Sequence, residues 1–236
     1  MSLIYETGKY LEATGNTWHS EDSPWKATQI LSVITDNNII PKKIVEVGCG
    51  AGQILVELSK QKYLKDCQFY GYDISPQAIE LCPKNSRNCY FKQQNFLSEE
   101  SEKNHKFDVL LIIDVFEHVL DYMGFVEQCR SRARYKIFHI PLDIHVSSVA
   151  RNSFFNTRHS VGHLHYFNAD TALATLKDTG HEILDYCYTS GSFGVFSQHP
   201  SIKTAIANVP RWLFSKFSIP LSARIFGGYS LLVLTK

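Results

Sequence analysis

Three observations predict an α/β protein built on a seven-stranded, mostly parallel sheet with helices on both faces. Short β-branched segments alternate with helical patterns, the order that puts crossover helices between parallel strands. A glycine-rich turn, Gly48-Cys49-Gly50-Ala51-Gly52, directly follows the first such segment. The run Phe107-Asp108-Val109-Leu110-Leu111-Ile112-Ile113 is almost continuously apolar, as a central strand covered on both faces requires.

The first strand is Ile44-Val45-Glu46-Val47, and the helix after the glycine turn carries Ile54, Leu55 and Leu58 on one face. The second strand, Gln68 to Tyr72, ends at Asp73; Ser75-Pro76 then reads as an N-cap with proline at the first helical position. A short third strand near Tyr90 to Gln93 ends before Asn95-Phe96, and the apolar run 107–113 is the fourth. Lys136 to Ile140, closed by Pro141, is the fifth. Thr171 to Asp178 is a helix stopped by Gly180, and Glu182 to Tyr188 and Tyr229 to Thr235 supply strands six and seven.

This order divides one domain, 1–236, into an aromatic-rich N-terminal segment (1–40), a core (41–190), an insertion (191–228) and the last strand (229–236). The insertion contains Pro200, Pro210, Pro220 and the run Trp212-Leu213-Phe214. It reads as short helices serving as a lid or subunit contact, which would make a homodimer, or as extra cover for the core.

Composition excludes several classes. The 24 Lys and Arg are balanced by 23 Asp and Glu, so a dedicated nucleic-acid binder is disfavoured. The start, MSLIYETGKYLEATG, lacks the basic and apolar regions of a signal peptide, and no stretch reaches the ~18 apolar residues of a membrane span. Cysteines 49, 67, 82, 89, 129 and 187 form no C-x-x-C pair, so buried free thiols in a reducing cytoplasm are expected.

The glycine turn is the sharpest chemical feature. Glycines there permit positive φ and let a ligand approach the backbone at the carboxyl edge of the sheet. A dinucleotide-binding G-x-G-x-x-G is not met, because Gln53 stands at its third glycine. Asp73, ending strand two, suits both hydroxyls of a ribose; its alternative is a helix-start acid before Ser75. Asn95 offers a carbonyl to an adenine amino group, with Phe96 beside it. After strand four, Asp114-Val115-Phe116-Glu117-His118-Val119 starts a helix at the same edge.

The ordered set EVGCGAGQ, GYDIS, QQNF and FDVLLIIDVFEHV resembles the class I S-adenosylmethionine (SAM)-dependent methyltransferases. It is nearest the branch whose motif after strand four reads D/E-x-x-E-H, and GHLHYFNADTALATLKDTGHEI, 162–183, resembles that branch's segment before strand six. The likeness covers residues 44–190 and the final strand. It implies a Rossmann-like sheet with an antiparallel last strand, and SAM as cofactor. It also implies Glu46, Gly48, Cys49, Gly50 and Gly52 around the methionine moiety. Asp73 and Ile74 would hold the ribose and adenine, Asn95 and Phe96 the base, and Ile113 and Asp114 the methyl-donor end. Many relatives carry Asp where this chain has Asn95, although an amide still accepts from adenine.

Methyl transfer from a sulfonium needs in-line positioning above all, and a base only where the acceptor must lose a proton. His118 is the leading base, against a structural role at the start of its helix. His163 and His165 flank Leu164 and would share one side of an extended stretch. Trp18, Trp25 and Lys26 suit a lid over the cleft, with Lys26 meeting the SAM carboxylate; the alternative is a helix starting near Ser23-Pro24 with Trp25 buried. If the helix begins at Asp114, then Asp114, Glu117 and His118 share a face and could bind Mg²⁺ or Mn²⁺, with His163 or His165 completing the site, the less favoured alternative. The leading expectation is O-methylation of a small molecule. An RNA 2′-O-methyltransferase and a SAM-binding protein without transfer activity are the competing readings.

Overall fold

The computed structural model describes residues 20–84, 86, 88–98, 107–191 and 202–236. In chain order the elements are α1 (Ser23–Asp36), β1 (Lys43–Val47), α2 (Gln53–Ser59), β2 (Gln68–Asp73), α3 (Pro76–Leu81), β3 (Cys89–Gln93) and β4 (Phe107–Ile113). They continue as α4 (Tyr122–Cys129), β5 (Ala133–Pro141), α5 (Val146–Ala150), α6 (Phe154–Ser160), α7 (Ala169–Asp178) and β6 (Ile183–Thr189). The last are α8 (Ile202–Phe217), α9 (Ile219–Phe226) and β7 (Ser230–Thr235).

The seven strands form one sheet in the order β3-β2-β1-β4-β5-β7-β6. Strands β1 to β5 pair in parallel, whereas β7 runs antiparallel between β5 and β6. Because neighbouring side chains on a strand point to opposite faces, β4 feeds two cores. Leu110 and Ile112 pack with Phe116, Val126, Phe138 and Leu176 on one face. Val109, Leu111 and Ile113 pack on the other with Ile30, Ile34, Leu55 and Leu58. Full burial on both sides explains the unbroken apolar run of β4.

The expected strands are all present, but two boundaries of the sequence reading change. Residues 23–39 belong to the core, because Ala27, Ile30, Val33, Ile34 and Ile39 are buried against it. The insertion is not made only of short helices: α8 runs 16 residues with Pro210 inside it. Five cysteines are buried and free, but Cys187 is exposed on β6, since that strand is the sheet's open edge. No helix among the described residues is long and apolar enough to cross a membrane.

Candidate active site

Strand order reverses between β1 and β4, which pair with β2 and β5 on opposite sides. The carboxyl ends of β1 and β4 therefore face a crevice, the place where open α/β sheets bind ligands. Two cavities meet there. One of about 410 Å³ is lined by the glycine turn, Trp25, Lys26, Glu46, Asp114, His139, Asp143 and His163, among others. One of about 140 Å³ is lined by Asp73, Ile74, Asn95, Phe96, Val115 and Phe125, among others. Gly48, Asp114 and His118 border both.

The glycine turn is held by strand two. Gly48 N and Cys49 N donate to the Tyr72 carbonyl at 2.8 and 3.1 Å, and Gly50 N donates to Asp73 Oδ2 at 2.9 Å. Asp73 Oδ1 accepts from Ser75 N at 2.8 Å, so its carboxylate ties the turn to the start of α3. Burial raises the Asp73 pKa, and these backbone donors oppose the rise. Each oxygen keeps a further lone pair for a ribose hydroxyl, so Asp73 can fill both roles read from the sequence.

Gly52 stands apart from the cavities. Its φ is +73°, it caps α2, and a Cβ there would lie 2.3 Å from Phe91 Cε1. Close packing of the turn on β3 thus requires glycine at this position.

Glu46 is buried, its Oε2 has no hydrogen-bond partner among the described residues, and burial pushes its pKa well above the usual carboxylate range. A buried carboxyl without a donor calls for a cationic ligand group. The α-ammonium of an amino-acid moiety meets that need. Lys26 pairs with Asp114 Oδ2 at 2.8 Å, so its nearest anion is within the protein.

Asp114 does not start a helix. Its φ is +55°, and only a 3₁₀ turn, Phe116–His118, follows. Its Oδ1 accepts from His139 Nδ1 at 2.6 Å, and His139 Nε2 lies 3.0 Å from Thr189 Oγ1. Burial alone would raise the Asp114 pKa, but His139 and Lys26 more than offset it and hold the carboxyl well below its usual range.

The proposed metal trio is corrected accordingly. With no helix through Asp114, the face shared by residues 114, 117 and 118 does not exist. Asp114 drops out of the set, whereas Glu117, His118 and the expected His163 bring ligand atoms within 4.8 Å of one another, a donor set a divalent cation could use. Both Glu117 oxygens are buried without hydrogen-bond partners among the described residues, with His118 Nε2 3.8 Å from Oε1, and burial, then Asp114, raises its pKa well above the usual range. A cation would first have to displace that proton.

His118 Nδ1 lies 3.0 Å from the Gly162 carbonyl, and burial lowers its pKa to about 4. His163 and His165 do not face the same way, because the chain there is irregular rather than extended. His165 Nε2 donates to the Val119 carbonyl at 2.9 Å and its ring packs on Tyr122, away from the cavities. His163 Nδ1 sits 2.6 Å from Asp143 Oδ2 at the wall of the larger cavity. Its Nε2 has no hydrogen-bond partner among the described residues. Trp25 also lines this cavity, edge-on to His139, whereas Trp18 lies outside the described residues. Asn95 Oδ1 accepts from Leu97 N at 3.1 Å, so the carbonyl expected for adenine already closes a turn. Asp143 and His139 were missed; both lie at the carboxyl end of β5, the edge that had flagged Asp73 and Asp114.

A family model described as "Methyltransferase domain" matches residues 21–186, most of the chain and most of the crevice. The chain belongs to this methyltransferase family. Among curated members, the release factor glutamine methyltransferase of Dictyoglomus turgidum is 39% identical over 67 residues, 27% of this chain and 23% of that protein. A ubiquinone biosynthesis O-methyltransferase of Actinobacillus pleuropneumoniae is 23% identical over 135 residues, 51% of this chain and 56% of that protein. The chain thus spans little more than half the length of these relatives at most. The structure of a magnesium protoporphyrin IX methyltransferase from Synechocystis PCC 6803 with bound SAH superposes with a TM-score of 0.59 at 13% identity. It covers 90% of this chain and 82% of that one, a likeness of fold.

Proposed function

We propose that this methyltransferase methylates a hydroxyl oxygen of a small molecule, with His163 taking the hydroxyl proton. The observation carrying the proposal is the 2.6 Å pairing of His163 Nδ1 with Asp143 Oδ2 at the wall of the larger cavity. A carboxylate on Nδ1 fixes the tautomer whose Nε2 lone pair is open, and it stabilises the imidazolium once the proton arrives. His118 is the weaker candidate base, since burial holds its pKa at about 4.

SAM, when bound, supplies a methyl group already attached to a sulfonium leaving group. Glu46 would accept from its ammonium and Asp73 from its ribose, with Ile74, Asn95 and Phe96 around the adenine in the smaller cavity. Ile113 and the Asp114–His139 pair would shape the floor beneath the methyl group. The larger cavity, about 410 Å³, has room for part of the cofactor and a compact acceptor. The similarity to the Actinobacillus ubiquinone biosynthesis O-methyltransferase supports this reading.

The test offers methyl-labelled SAM with phenols, catechols, aliphatic alcohols, primary amines and a short RNA. Label on the oxygen of a phenol or alcohol is expected, and lost in His163→Gln. Label on the amine or RNA alone would overturn the proposal.

A further inference from the structure

Two stretches of this charge-balanced chain contain no acid. No Asp or Glu lies between Asp143 and Asp170, nor after Asp185. These stretches build α5, α6, α8 and α9. Helix α9 packs on α5, where Ser147 Oγ donates to the Phe226 carbonyl at 3.3 Å, and α8 is tied to the end of α9 by Arg211 Nε on the Gly227 carbonyl at 2.7 Å.

The same four helices carry ten of the 17 exposed large hydrophobic side chains among the described residues. Trp212 is 51% exposed and Phe217 89%, with Leu213 and Ile219 exposed nearby in the chain and Val149 and Phe155 exposed on α5 and α6. Single exposed apolar residues are ordinary, but such a concentration marks an interaction surface. Arg151, Arg158 and Lys216 are exposed on it, and Lys216 Nζ sits 5.4 Å from the centre of the Trp212 ring. The one acid at its margin, Asp170, is paired with Arg224 at 2.7 Å.

We propose that this helical cap docks on an anionic lipid bilayer. Aliphatic and aromatic side chains interleaved with Lys and Arg, and no acid to repel phosphate, are what a helix lying in the headgroup boundary needs. A nucleic acid would use the cations but would leave Leu213, Val149 and Ile219 in water, so the bilayer is the better match. The cap also borders the crevice, because Thr157 of α6 and Val161 just beyond it line the larger cavity. Resting on the function proposed above, this makes the acceptor an amphiphilic hydroxyl compound that reaches the cavity from lipid.

The test is flotation of the whole protein with vesicles of phosphatidylglycerol or of phosphatidylcholine. It needs no methyl transfer, so it can fail or succeed independently of the proposed reaction. Binding to phosphatidylglycerol, weakened by salt, is expected. Phe217→Ser should cut the partition coefficient about tenfold or more, and Lys216→Gln about fivefold. Both variants should bind the demethylated product of SAM as the wild type does, which shows that they are folded. Equal partition onto both lipids, no partition onto either, or unchanged partition in both variants would overturn the proposal. So would a salt-sensitive complex with polyuridylate, or a dimer lost in Phe217→Ser, in the absence of vesicle binding.

Discussion

Asp143 Oδ2 lies 2.6 Å from His163 Nδ1 across 20 residues of chain. Asp143 sits two residues past β5, and His163 follows the α5–α6 excursion, so the pair closes that loop onto the carboxyl edge of the sheet. Asp143→Asn should lower kcat by about 10²- to 10⁴-fold, the range for a general base left in the wrong tautomer. Binding of the demethylated cofactor, followed by calorimetry, should be unchanged. Equal losses in both would make the pair a structural clamp.

Asp73 holds Gly50 N and Ser75 N with its two oxygens. Asp73→Ala should weaken cofactor binding by the ~1.5–3 kcal/mol of hydrogen bonds to a charged group, about 10- to 100-fold. It should also lower Tm, because two buried N–H groups lose their acceptor. Unchanged affinity on calorimetry would remove Asp73 from the ribose site.

Glu46 has a raised pKa because it is buried. An ammonium placed beside it favours the ionised form, so cofactor binding in the pH range where Glu46 is still protonated should release a proton. Calorimetry in buffers of different ionisation enthalpy reads this directly. Glu46→Gln should abolish the release while leaving the fold intact; a release that persists would locate it at another group.

Glu117 bears on stability with a definite sign. Its folded pKa lies above the unfolded carboxylate value, so its favourable contribution is complete below the unfolded pKa and is lost as pH rises. Glu117→Gln should therefore raise Tm more at pH 8 than at pH 4. His118 acts at the other end: its folded pKa of about 4 lies below the usual histidine value, so stability falls as pH drops from about 6.5 towards 4. His118→Asn should flatten that acid limb in thermal melts at successive pH values.

A cation at Glu117, His118 and His163 would compete with the Glu117 proton and with the Asp143 pairing of His163. Activity on a confirmed acceptor should survive exhaustive chelation. Loss on chelation, restored by Mn²⁺ or Mg²⁺, would replace the base mechanism with a metal one.

The sheet and its cofactor edge were legible because they follow from local rules. The unbroken run of β4, the glycines after β1 and the acid ending β2 each announce their element from a few adjacent residues. The antiparallel last strand came through the family likeness, and the observed pairing of β7 agrees with it; the strand order itself is read only from the structure. Asp114 shows where local reading stops. Its sequence suits a helix start, yet its side chain is held by His139 on the next strand and Lys26 on α1, with the backbone in the left-handed region.

What the sequence by itself determined is thus the layering and the place of the glycine turn at the carboxyl edge of the sheet. These depend on periodicity, turn chemistry and residue order, all encoded within short windows. Only the tertiary structure decided which histidine meets a carboxylate. His118, His163 and His165 look alike in the chain, but burial lowers the pKa of the first, Asp143 orients the second, and the Val119 carbonyl holds the third away. A side chain's proton affinity and direction are set by neighbours distant in sequence, and no local pattern records them.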